Sequence, residues 1–130
     1  MTNHGNASVT MLTDSDAHER AMSLPIQEVV RELVALLGAP TVAAIAGVSE
    51  TRALQRWMSG SKPQRSQVLR FALQIGRMIV ARNETEMARA WFQGCNPHLD
   101  DAVPALMLRN RPLAEVQAPL MAAARSFAAR

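Results

Sequence analysis

Glycine and proline cut this chain into segments of helical length: Pro25, Gly38, Pro40, Gly47, Gly60, Pro63, Gly94, Pro97, Pro104 and Pro112. Between them apolar residues recur at the 3.6-residue period. Ile26, Val29, Val30, Leu33, Leu36 and Leu37 mark a first core helix, with Pro25 suited to its first turn and Gly38 to its stop. Pro40 opens a short helix through Ala46 that Gly47 ends, and a third helix follows Ser49 to about Met58. After the break at Ser59, Gly60, Ser61 and Pro63, a long amphipathic helix starts at Pro63 or Ser66 and reaches Arg82, its apolar face built from Val68, Leu69, Ala72, Leu73, Ile75, Gly76, Ile79 and Val80. Asn83 with Glu86 three residues on reads as an N-cap for a further helix that Gly94 breaks. Two last helical pieces, about Ala102 to Arg109 and Leu113 to Phe127, flank Asn110, Arg111 and Pro112.

Hydrophobic residues make up 48% of the 130-residue chain, and they are mostly Ala, Leu, Val and Met rather than β-branched or aromatic types. An all-α fold is expected, as one domain or as two small helical units that share a core. Residues 1–23, rich in Asn, Ser, Thr, Asp and His, carry too little apolar surface to offset ordering and are expected to be a flexible tail. The units are then 24–82 and 83–130.

Cys95 is the only cysteine, so an intrachain disulfide and cysteine-based four-ligand zinc sites are excluded, and a reducing cytoplasm is expected. The first residues lack a basic start followed by an apolar run, and no segment stays apolar and uncharged for about 18 residues, so neither secretion nor a membrane partner is expected. Cys95 and His98 have metal-like spacing but no second pair, and His4 and His18 lie in the tail. Neither a nucleophile with an orienting group nor a phosphate-binding glycine loop is evident, and adjacent Asp100 and Asp101 suit a solvated turn. The expectation is a chain with no active site, metal or cofactor.

Charge is unevenly placed. From Thr51 to Arg82 stand seven basic residues (Arg52, Arg56, Lys62, Arg65, Arg70, Arg77 and Arg82) and no Asp or Glu, in a chain of net charge +3. Such a local excess marks where a nucleic-acid partner would lie. If Leu54, Trp57 and Met58 face the core, 100° per residue brings Arg52, Gln55, Arg56 and Ser59 together on the opposite face. Arginine bonds bidentately to guanine and glutamine to adenine in the major groove, so Arg52, Gln55 and Arg56 are base-reading candidates, while Ser59 suits a phosphate. Lys62 and Arg65, just past the helix, are placed to grip the backbone. The arginines at positions 70, 77 and 82 ride the long helix and are expected to face solvent or a second protomer.

The short Ala-rich helix, the turn Gly47-Val48-Ser49 and a helix ending Gln55-Arg56-Trp57 resemble bacterial helix-turn-helix regulators. Ser49 precedes Arg56 by seven residues, one more than in the common pattern, so either the turn is longer or the recognition helix begins at Thr51. Farther along, Trp91, Phe92, Asn96, Pro97, Leu99, Pro104, Leu108, Val116 and Leu120 resemble, in order and approximate spacing, the toxin-binding domain of Xre/MbcA/ParS-type antitoxins. Together the two resemblances cover about Ile26 to Phe127. Trp91, Phe92 and Leu99 are read as core and Pro104 as a helix start. The resemblance implies a homodimeric antitoxin that binds a RES-domain, NAD-consuming toxin and represses its own double-stranded promoter DNA. Catalysis would then belong to the partner. Arg109, Arg111, Arg125 and Arg130 are the toxin-contact candidates, the last two on a narrow, basic, mobile end suited to a cleft. A DNA-binding regulator whose C-terminal unit serves only dimerisation or another protein contact is the alternative, and a protein-interaction module that no longer binds DNA is a third.

Overall fold

The computed structural model describes residues 14–129, which form eight α-helices and no strands. They are α1 (Asp14–Ser23), α2 (Ile26–Leu37), α3 (Ala39–Ala46), α4 (Arg52–Met58), α5 (Ser66–Val80), α6 (Thr85–Gln93), α7 (Pro104–Asn110) and α8 (Leu113–Ala128), with one 3-10 turn at Pro97–Leu99. The fold is all-α. Residues 24–82 and 83–129 share one connected core, in which Leu33, Ile45 and Leu73 join Phe92, Leu108 and Leu120. The central element is α5, which packs against α1, α2, α3, α6 and α8. Nine of its fifteen residues are buried, and Gly76 lets α2 approach so closely that an added Cβ would stand 3.3 Å from Leu36 Cδ1.

Residues 14–23 correct the expected tail. They form α1, which packs along α5 and buries Ala21. Its packing on α5 is joined by bonds at its C-terminal end: Arg70 Nη1 donates to Ala21 O at 2.9 Å and to Leu24 O, just past the helix, at 2.7 Å. Residues 1–13 lie outside the described residues.

The Asn83 cap is also revised. Its Nδ2 donates to Ile79 O at 3.1 Å, closing the end of α5, while Glu84 occupies the N-cap position of α6 without a side-chain cap bond. In the loop after α6, Asn96 Oδ1 accepts from His98 N at 2.9 Å and Asn96 N donates to Ala102 O at 3.0 Å. Asp100 and Asp101 take positive φ of 55° and 66° in this tight exposed turn, a conformation that Asp tolerates better than most residues.

A recurring device locks the helices together. Unpaired carbonyls at helix C-termini carry a partial negative charge and attract guanidinium groups. Arg70 serves α1. Arg89 serves α2, with Nε on Leu36 O at 3.1 Å and Nη2 on Ala35 O at 3.2 Å. Arg31 Nη2 serves α4 through Met58 O at 3.0 Å. Arg65 and Arg109 serve α3, as described below.

Candidate nucleic-acid interface

The second helix of the helix-turn-helix pair, α4, is positioned by its apolar side. Ala53, Leu54 and Trp57 are buried and Met58 is half-buried against the core, which turns Arg52, Gln55, Arg56 and Ser59 outward, all exposed. The angular projection from the sequence therefore describes the actual face. The turn is the longer form, Gly47 to Thr51, and the helix begins at Arg52 with Thr51 as N-cap. Gly47 adopts the left-handed conformation at φ 80°, where its N–H and that of Val48 close the last turn of α3 on Ala43 and Ala44 carbonyls.

Glu50, one residue before the acid-free stretch, bears on this face. Its Oε1 accepts from Arg52 Nη2 at 3.1 Å, with the two side chains 65% and 75% exposed. An ion pair that exposed stabilises little, but it puts one negative charge at the edge of the exposed face of α4. Lys62 is exposed just beyond α4. Arg31, on α2, adds an exposed cation at the C-terminal end of α4. Sequence inspection missed it, since α2 was read only for its apolar stripe; the i,i+3 pairing with Glu28 is the sole local signal.

Four basic residues of the stretch do other work or are engaged elsewhere. Arg65 is not at the surface edge: it is half-buried, with Nη1 donating to Ile45 O at 2.9 Å and Nη2 to Leu108 O at 2.6 Å. It bridges α3 and α7 rather than gripping phosphate. Arg70 holds α1, and Arg77 pairs with Glu32 of α2, both side chains only 24% exposed. Both are half-buried. Arg82 is exposed and has an interaction of its own.

The C-terminal candidates fare unevenly. Arg109 is half-buried and turns inward, Nη1 donating to Ala44 O at 3.1 Å. Arg111 is exposed and lies 3.6 Å from Glu115 Oε1 across one helical turn. Arg125 is exposed but stands on no loose end, because α8 runs to Ala128 and buries Ala124 and Ala128 on either side of it. Arg130 lies outside the described residues. Trp91, Phe92 and Leu99 are core, and Pro104 starts α7.

A recess of about 270 Å³ opens between α6 and α8, lined by Met87, Ala90, Trp91, Cys95, His98 and Phe127 among others. Met87 is 41% exposed at its rim. Trp91 Nε1 is shielded from solvent without a hydrogen-bond acceptor among the described residues. No group of three or more His, Cys, Asp or Glu side chains able to hold a metal ion occurs among the described residues, and none of their helices is long and apolar enough to cross a membrane. Comparison with known proteins finds no matching family model, no matching curated protein and no matching solved structure.

Proposed function

We propose that this chain is a DNA-binding antitoxin that represses its own promoter through α3 and α4 and neutralises a RES-domain toxin through its C-terminal helices. The observation that carries the DNA half is the exposed quartet Arg52, Gln55, Arg56 and Ser59 on a short helix held by a buried Leu54 and Trp57. A rigidly seated helix that presents arginine and glutamine outward is what major-groove reading requires. Exposed Lys62, just beyond α4, supports a backbone contact beside such a helix. Two-fold pairing of protomers would match a palindromic operator.

The partner half rests on the antitoxin-like order of residues from Trp91 to Leu120 and on the recess between α6 and α8, a concave apolar site with a few polar groups of the kind that receives a side chain or small ligand. A second reading, a regulator whose C-terminal unit makes some other protein contact, is favoured by the inward turn of Arg109 and the proximity of Arg111 to Glu115. Titrating the protein against the duplex upstream of its own gene, at several salt concentrations, tests the DNA half. Co-expression with a RES-domain protein encoded beside it tests the other: co-purification and loss of NAD consumption are expected. Salt-dependent DNA binding with no such complex would leave the regulator reading standing.

A further inference from the structure

The C-termini of α3 and α7 converge, and two arginines stand between them. Helix C-termini present unpaired carbonyls of like partial charge, so bringing two together is unfavourable unless cations or donors intervene. Arg65 supplies one guanidinium across the junction, Nη1 to Ile45 O at 2.9 Å and Nη2 to Leu108 O at 2.6 Å, with a longer 3.4 Å approach of Nη1 to Arg109 O. Arg109 supplies the other, its Nη1 on Ala44 O at 3.1 Å and 3.4 Å from Val48 O. The last turn of α3 at Ala44 and the backbone at Val48, which leads into α4, are thus held from the side by Arg109 of the C-terminal unit.

The geometry points to Arg65 and Arg109 as positioning residues for DNA reading: they touch no DNA, and they set the orientation of α4 by fixing the last turn of α3 and the backbone that leaves it. This inference rests on the DNA-binding reading, and it makes α7 a structural part of the reading unit. The two arginines differ in a way that can be tested. Arg109 acts through a single nitrogen, which a lysine ammonium can replace. Arg65 acts through two nitrogens held in a planar fork on two different helices, which lysine cannot reproduce.

The experiment measures affinity for the chain's own upstream duplex and for a scrambled duplex of equal length, using full-length wild type, Arg109→Ala, Arg109→Lys and Arg65→Lys, at a temperature where circular dichroism shows each folded. Arg109→Ala should lose about tenfold on the upstream duplex, on the order of one good base contact, and change less than about twofold on the scrambled one. Arg109→Lys should return most of the loss; Arg65→Lys should behave like Arg109→Ala. Equal losses on both duplexes would mean direct phosphate contact and overturn the proposal, as would unchanged binding to both. Hydrogen exchange without DNA separates the two levels of inference. Faster exchange from Gly47 to Met58 in Arg109→Ala, with α5 unchanged, upholds the hold of Arg109 on α4; wild type binding neither duplex would overturn the DNA reading alone and leave that hold standing. Unaltered exchange there overturns it.

Discussion

Arg65 Nη1 lies 3.1 Å from the point where a Cβ on Gly47 would stand, and Gly47 itself has a φ of 80°. Two constraints therefore exclude a side chain at this turn, one from the backbone and one from the guanidinium bound to Ile45 O. Left-handed backbone costs a non-glycine residue about 1–2 kcal/mol, and displacing a charge-assisted hydrogen bond adds about 1–2 kcal/mol. Gly47→Ala should lower unfolding free energy by about 2–4 kcal/mol on these grounds. In urea titrations, Gly47→Ala with Arg65→Ala should lose less than the sum of the single variants, because the second constraint vanishes with Arg65. Strict additivity would show that the close approach has no energetic consequence.

Arg70 donates to carbonyls at the C-terminal end of α1, Ala21 O at 2.9 Å and Leu24 O at 2.7 Å, with a longer 3.4 Å approach to Met22 O. Arg70→Ala should loosen α1 without unfolding the rest, at a cost of about 1–3 kcal/mol for the lost charged hydrogen bonds. Hydrogen exchange over residues 14–23 is the direct readout, and it should accelerate while α5 stays protected. If residues 14–23 keep wild-type protection, Ala21 and the rest of the α1–α5 contact suffice and the arginine is incidental.

Glu32 and Arg77 join α2 to α5 beneath the surface, each side chain 24% exposed. Removing one charge leaves the other poorly solvated, which costs more than the pair contributes when intact. Glu32→Gln or Arg77→Met should each destabilise by about 1–3 kcal/mol, whereas Glu32→Leu with Arg77→Met should be nearer wild type than the two single losses combined. Thermal unfolding of the three variants decides this. A double variant as unstable as the sum would mean that the two charges are not coupled and that each acts through other contacts.

The helices were legible because core positions repeat in register with breakers: Val29, Val30, Leu33 and Leu37 stop at Gly38, and Thr41 to Ala46 stop at Gly47. The outward quartet on α4 was legible for the same reason, since burying Leu54 and Trp57 leaves those residues one face to occupy. The destinations of the arginines were not. Arg109 bonds to Ala44, 65 residues away, and Arg65 to Leu108, 43 residues away, so their acceptors exist only after the helices have packed. A charge count treats every cation as available to phosphate, whereas helix ends inside a small α-protein compete for the same guanidinium groups. The helix at residues 14–23 escaped notice on similar grounds: its anchor is an arginine on another element and one buried alanine, not an apolar stripe of its own.

That competition changes what DNA binding should look like. With Arg65, Arg70 and Arg77 engaged inside the protein and Arg31 held by Met58 O and Glu28, the exposed cations on and just beyond α4 are Arg52, Arg56 and Lys62. If about three phosphates are neutralised per protomer, the log-log dependence of affinity on salt should have a slope near ~−3. Lys62→Ala should then reduce that slope by about 1 and weaken all sequences alike, because a backbone contact carries no sequence information. Arg56→Ala should instead relax discrimination at one base position by about 1–3 kcal/mol and leave scrambled DNA nearly unaffected. Glu50→Gln supplies the opposite sign, since removing the Glu50 carboxylate at the edge of the face should tighten binding to scrambled DNA and narrow its gap from the operator. Fluorescence anisotropy titrations of the three variants on matched and scrambled duplexes read all of these at once. A common loss for Lys62→Ala and Arg56→Ala on both duplexes would assign the whole face to phosphate contact and remove base reading from α4.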